Sequence, residues 1–136
     1  MGSVTFVDTS AVVAILHEEE DAAALMALLA RADRRLTSAS VRLESAMALS
    51  RLADIPPSRA QQFFNDFLSR AEVEEIAIDE PTGRLAVSCF ERYGKGRHPA
   101  RLNFGDCLSY ACAKTAGARL LFKGDDFSQT DVNDGV

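Results

Sequence analysis

Short strand-like runs alternate with helical segments along this chain of 136 residues, and the alternation limits the fold more than any other feature. Four such runs predict strands, at 5–7, 34–38, 73–78 and 119–122. Helical patterns fill the intervals, with N-caps predicted at Ser40 and Asn103, and one further short strand is predicted around Val132. Because strands that alternate with helices form a sheet covered by helices, the sequence predicts an α/β fold with a mainly parallel sheet.

Size and composition predict one globular domain over residues 1–136. The apolar fraction of 47% and the charged fraction of 26% are ordinary for a soluble domain. No apolar run approaches the roughly 18 residues of a membrane span, and no signal peptide is visible. We therefore expect no membrane partner and a cytoplasmic location. Residues 1–3 are interpreted as an expression scar.

The cysteines and histidines argue against several kinds of site. Cys89, Cys107 and Cys112 are odd in number and lack CxxC spacing, which excludes a disulfide framework or a zinc site. His17 and His98 lie far apart in sequence, which disfavours a histidine-based metal site or a Ser-His-Asp triad. The net charge of −5 argues against a protein whose whole surface is adapted to nucleic-acid binding, but it permits a local basic face.

Acidic residues stand beside elements that should be apolar. They are Asp8, Glu44, Asp106 and the adjacent pair Asp125 and Asp126. A carboxylate beside a core element is costly unless it is paired, hydrogen-bonded or bound to a cation. Since ligands gather beyond the carboxyl ends of parallel strands, acids that follow strands should meet at that edge. The pattern favours one shared divalent cation.

Each acid also has a structural interpretation. Asp8 suits a helix N-cap, and Asp106 falls at the third helical position after Asn103, where a carboxylate suits the helix dipole. Glu44 should face inward on its helix, and its alternative role is a salt bridge to an arginine of a neighbouring element. An acidic pair after Gly124 is typical of a turn. The metal hypothesis therefore rests on the acids occurring together.

Three blocks of the sequence resemble a known family. Residues 7–11 (VDTSA) resemble the opening of PIN-domain ribonucleases. Residues 94–111 (GKGRHPARLNFGDCLSYA) resemble a block of VapC toxins, and residues 120–127 (LLFKGDDF) are similar to their closing block. The resemblance covers nearly the whole chain in the expected order. It implies a three-layer α/β/α PIN-like domain with a mainly parallel central sheet.

The same resemblance implies a function. It implies a ribonuclease that depends on Mg²⁺ or Mn²⁺, forms the toxin half of a toxin–antitoxin pair, assembles as a homodimer and is held inactive by a VapB-type antitoxin. Asp8, Glu44 and Asp106 match the first three acids of the family. Many members carry the fourth where this chain has Gly124, so either acid of the following pair takes its place.

The residue types agree with this chemistry. Mg²⁺ prefers oxygen ligands, so a carboxylate cluster without histidine or cysteine suits it, and a bound metal can activate a water molecule. Thr9 or Ser10 is a candidate to hydrogen-bond a carboxylate or a phosphate, with helix capping as the alternative. A compact basic cluster comprises Lys95, Arg97, His98 and Arg101. This cluster is the candidate for holding RNA phosphates, and a solvated loop is the alternative.

Rival functions need features that this chain lacks. A receiver-type signalling domain needs an acidic pair at the first strand, and an aspartyl-phosphate phosphatase needs a second aspartate where Ser10 stands. A catalytically inactive binding module of the same fold stays open until activity is measured. For the antitoxin, we predict that a segment bearing Arg or Lys inserts beside the acids. Its groove would be formed by exposed leucines and phenylalanines on the helices between Asp21 and Leu68.

Overall fold

The computed structural model describes residues 2–132 and contains four strands and six helices within them. In chain order the elements are β1 (Val4–Val7), α1 (Thr9–Leu16), α2 (Ala22–Ala30), β2 (Arg34–Ser38), α3 (Ala39–Ala53), α4 (Pro57–Ala71), β3 (Val73–Ile76), α5 (Glu80–Tyr93), α6 (Phe104–Thr115) and β4 (Arg119–Leu121). The strands form one parallel sheet in the order β3-β2-β1-β4. Helices cover both faces, which confirms the three-layer α/β/α fold.

The centre of the sheet fixes where β1 ends. β1 pairs with β2 on one side and with β4 on the other, and Val7 lies opposite Leu121. The ladder continues one residue further, since the Asp8 N–H donates to the Leu121 carbonyl at 3.0 Å. Asp8 and the turn after β4 therefore lie side by side at the carboxyl edge of the sheet.

One hydrophobic core joins the sheet to the helices. Phe6, Leu36 and Leu120, from three adjacent strands, are fully buried, as is Phe64 of α4. Burying a side chain of this size stabilises a fold by about 1.5–3 kcal/mol. The three cysteines are buried and free, as predicted. None of the helices within residues 2–132 combines the length and the apolar character that crossing a bilayer requires.

Two local predictions are wrong. The N-cap of α3 is Ser38 and not Ser40, because β2 runs directly into the helix and the Ser38 hydroxyl accepts from the Val41 N–H at 3.5 Å. The Ser40 hydroxyl pairs with that of Ser38 at 2.8 Å. Val132 lies buried in a turn and not in a strand, since its N–H donates to the Thr130 hydroxyl at 3.2 Å.

Candidate active site

Asp8 is a buried carboxylate at the end of the central strand. Only 3% of the residue is exposed, and it is the N-cap of α1. Its Oδ2 accepts hydrogen bonds from the Ser10 N–H at 3.0 Å and from the Ser10 hydroxyl at 2.7 Å. The capping role therefore exists, and it uses one carboxylate oxygen through Ser10. Capping and a place in an acidic site are compatible at this position.

Asp106 occupies the third position of α6 in a capping box. Its Oδ2 accepts from the Asn103 N–H at 3.0 Å, and its own N–H donates to the Asn103 Oδ1 at 2.9 Å. Burial is the main cause that raises the pKa of Asp106, to about 7, against the lowering effect of the Asn103 hydrogen bond. Nearby carboxylates raise it further, and they are Asp8, Asp126 and Glu44. The buried group thus faces uncompensated negative charge from three other elements.

Glu44 reaches this group from α3. Its Oε1 accepts a hydrogen bond from the Thr9 hydroxyl at 2.8 Å. Burial is the main cause that raises the pKa of Glu44, against the lowering effect of the Thr9 hydrogen bond, and the charge of Asp8 raises it further. The alternative of a salt bridge to an arginine of a neighbouring element is not supported, because no arginine among residues 2–132 pairs with Glu44, whose hydrogen bond goes to Thr9.

A close approach to the α6 backbone also fixes the position of Glu44. A Cβ atom built on Gly105 would lie 1.9 Å from the Glu44 Oε2. Real Cβ atoms do not approach other heavy atoms so closely. The Glu44 carboxylate therefore occupies space that exists only because residue 105 has no side chain.

The turn after β4 brings one of its two acids towards the others. Burial raises the pKa of Asp126, and the charges of Asp8 and Asp125 raise it further. Asp126 also acts on Asp106, as described above. Asp125 instead supplies its backbone carbonyl to the Ser128 N–H at 3.2 Å, which closes the turn. The electrostatic effect on Asp106 favours Asp126 as the fourth acid.

The acids lie close enough to act on the charge of Asp106 without forming a complete coordination shell. Among residues 2–132, no three His, Cys, Asp or Glu side chains stand close enough to hold a metal ion. A ready-formed coordination shell is therefore not present among the described residues. Repulsion between unneutralised carboxylates favours separation, and Ser10, Thr9 and Asn103 each hold one oxygen of a different acid.

The basic cluster divides into two parts. Lys95 and Arg101 line the acidic cleft together with Asp106 and the Asp125–Asp126 pair. Arg97 and His98 do not line this cleft but a second pocket, which Lys95 and Arg101 also border. The Arg97 Nε donates to a helix carbonyl of α5 at 3.2 Å, while the His98 Nδ1 accepts from the Ala100 N–H at 3.0 Å. The Arg97 and His98 side chains therefore hold the loop together.

Two residues of the site were not recognised in the sequence. One is Gly105, and the other is Lys123, whose N–H donates to the Ser10 hydroxyl at 3.0 Å. The Lys123 ammonium group also contacts the carboxylates of Glu19 and Asp21. A lysine directly after the last strand and a run of four acids at 18–21 were the available signals. Lys123 ties the turn that carries Asp126 to the beginning of the chain.

Comparison with known proteins gives the family. The model of the PIN domain family matches residues 5–133. A VapC ribonuclease of Rhizobium meliloti is 41% identical over 141 aligned positions, which cover 95% of this chain and 99% of that protein. The chain belongs to the VapC ribonucleases. This membership agrees with the resemblance of the three sequence blocks and excludes the receiver and phosphatase alternatives.

Solved structures agree on the fold. VapC20 of Mycobacterium tuberculosis, described as a toxin that cleaves the sarcin-ricin loop, superposes with a TM-score of 0.70 at 22% identity, covering 91% of this chain and 92% of that one. A toxin–antitoxin complex from Klebsiella pneumoniae gives a TM-score of 0.70 at 17% identity, covering 94% and 93%. At these identities the likeness shows the VapC fold alone.

Proposed function

We propose that this chain is a metal-dependent endoribonuclease and the toxin of a toxin–antitoxin pair, formed as one domain and acting in the cytoplasm. The observation that carries the proposal is the buried Asp106, which faces three further carboxylates from β1, α3 and the turn after β4. A folded protein retains such a concentration of negative charge when a cation or a proton compensates it. VapC family membership supports RNA as the substrate.

The donor set fits a hard divalent cation. The four groups are all carboxylates, and no histidine or cysteine lines the cleft among the described residues. Oxygen ligands of this kind suit Mg²⁺ or Mn²⁺. The residues that would hold the ion are Asp8, Glu44, Asp106 and Asp126. When bound, the ion supplies a water of lowered pKa and stabilises charge on the phosphodiester.

The other residues of the cleft have defined tasks. Ser10 and Thr9 each donate a hydrogen bond to an acid, which fixes the orientation of Asp8 and Glu44. Lys95 stands with the acids on the wall of the cleft and suits the phosphates that flank the bond to be cleaved. Positive charge on this wall offsets the repulsion between an acidic site and a polyanion.

A paired cleavage assay tests the proposal. Wild-type protein and Asp8→Asn are incubated with a labelled single-stranded RNA in Mg²⁺, and each reaction is repeated with EDTA. The proposal expects cleavage by the wild type in Mg²⁺ alone and none by the variant, whose fold is checked by circular dichroism. An inactive wild type would instead favour the binding-module alternative, and an active Asp8→Asn protein would refute the mechanism.

The partner proposal concerns inhibition. The likeness to a toxin–antitoxin complex supports an antitoxin of the VapB type, and family membership supports a homodimer. Leu43 and Met47 of α3, with Leu52 and Phe63 nearby in sequence, leave exposed apolar side chains in the predicted groove region. An antitoxin segment seated there would present Arg or Lys to the acids. Undiminished inhibition by an antitoxin whose basic residue is changed to Ala would refute this mode.

A further inference from the structure

Phe104 is more exposed than any other large apolar side chain within residues 2–132. It keeps 82% of its accessible surface, and its ring has no aromatic or cationic partner among those residues. The exposed ring of Phe63 is different, because the Arg59 guanidinium covers it at 4.8 Å. Phe104 therefore gives up the stabilisation that burial of an aromatic ring provides.

The backbone that carries Phe104 is fixed to the acidic site on both sides. Phe104 is the first residue of α6, between the two residues of the capping box, Asn103 and Asp106. Its other neighbour, Gly105, lies directly against the Glu44 carboxylate. The ring is thus presented from a rigid turn, two residues before the most strongly perturbed acid. A rigid aromatic group of this kind loses little conformational entropy on binding.

Two cations lie close to the start of α6. Lys95 and Arg101 line the cleft with Asn103 and Asp106, and within residues 2–132 neither side chain has an ion-pair or hydrogen-bond partner. The backbone of Arg101 has a φ of +55°, a conformation that costs energy in a residue with a side chain. Free cations close to a helix start that carries an exposed aromatic ring are a combination by which proteins hold single-stranded nucleic acid.

We propose that Phe104 is a stacking platform for an unpaired base of the RNA, next to the phosphodiester held at the acids. The proposal rests on the ribonuclease function proposed above and adds where the substrate is gripped. The cations take the phosphates, while the ring takes the face of one base, as single-stranded RNA recognition requires. A protein partner is less favoured, because lysines such as Lys95 are depleted in the centres of protein interfaces.

Binding of RNA to a protein variant that is expected not to cut it tests the proposal. The full chain carrying Asp8→Asn is titrated with a short single-stranded RNA of random sequence, labelled for fluorescence anisotropy. Phe104→Ala and Phe104→Leu should each weaken binding by about 5- to 150-fold, the range that a lost base stack produces. Phe104→Trp should bind at least as tightly as the parent. Val87→Ala on α5 is the control, because Val87 is also exposed and lies on a different helix from the capping box.

The second readout reports stacking directly. An RNA of the same length that contains 2-aminopurine should lose fluorescence on binding to the parent and to Phe104→Trp, and should keep it with Phe104→Leu. Unchanged RNA affinity in Phe104→Ala would overturn the proposal, and so would full affinity in Phe104→Leu, which has apolar bulk without a π-face. A change of oligomeric state in Phe104→Ala with unaltered RNA binding would assign the ring to a protein interface instead. If the wild type cleaves RNA while these variants bind normally, this inference fails and the ribonuclease function stands.

Discussion

Replacing Gly105 with alanine should displace the Glu44 carboxylate while the fold remains intact. The added Cβ atom would lie 1.9 Å from the Glu44 Oε2, and separations below 3.0 Å do not occur for real Cβ atoms. The carboxylate must therefore retreat by at least 3.0 − 1.9 = 1.1 Å. Because the clash involves the end of a flexible side chain, Glu44 can swing away without moving α3.

The displacement should reduce catalysis strongly. A misplacement of about 1 Å in a catalytic group lowers rates by roughly 100-fold, and Glu44 would also lose the hydrogen bond of 2.8 Å from the Thr9 hydroxyl. We therefore expect kcat/KM for RNA cleavage to fall by about 100-fold in Gly105→Ala, as in Glu44→Gln. The free energy of unfolding should stay the same or rise slightly, since alanine is favoured over glycine in a helix by up to about 1 kcal/mol.

Gly83→Ala is the matched control for this substitution. Gly83 also lies in a helix, α5, but a Cβ atom there would meet no heavy atom within 4 Å. The control should gain up to about 1 kcal/mol of stability and keep full activity. Initial rates on a labelled RNA and thermal unfolding followed by circular dichroism measure both quantities. Wild-type activity in Gly105→Ala would refute the idea that the position of Glu44 matters for the reaction.

Three further predictions concern the remaining acids and their support. Asp126→Asn should lower cleavage by roughly 100-fold or more, whereas Asp125→Asn should stay near the wild type, and equal losses would contradict the choice of Asp126. Lys123→Ala should lower the rate and raise the Mg²⁺ concentration needed for half-maximal activity. Lys123→Arg should restore both, because ion pairs with Glu19 and Asp21 hold the turn in place. Burial raises the pKa of Asp106 to about 7. The folded metal-free protein therefore binds more protons than the unfolded chain between about pH 4 and pH 7. Its free energy of unfolding should fall as the pH rises through that window. Asp106→Asn should remove most of that dependence in thermal melts without metal, and an unchanged pH profile would contradict the burial of a charged group.

The sequence was sufficient for the fold and for the place of two acidic segments at one edge of the sheet, because each depends on local patterns. Short strands alternating with helices determine a parallel sheet, and an acid directly after a strand must lie at the carboxyl edge. Asp8 and the pair after β4 follow that rule, and the register of Val7 with Leu121 makes them neighbours. The capping box of Asn103 was also visible as a spacing.

Features that depend on contacts across the fold were not visible. Ser40 looked like a helix cap, but the direct passage from β2 into α3 gave that role to Ser38, two residues earlier than the pattern indicated. Gly105 became meaningful only when α3 placed Glu44 against it. The division of the basic cluster arises because the His98 ring packs edge-on against Tyr93 at 5.1 Å between centroids, a tertiary contact.

Locating a bound ion would be the most direct test of whether the four acids hold a divalent cation. Crystals of the protein grown with Mn²⁺ and measured at the manganese absorption edge should show an anomalous peak in the cleft among Asp8, Glu44, Asp106 and Asp126. We predict that the ion draws these carboxylates together and that Asp106→Asn abolishes the peak in otherwise isomorphous crystals. A peak elsewhere, or an empty cleft at a Mn²⁺ concentration that supports full RNA cleavage, would contradict the account.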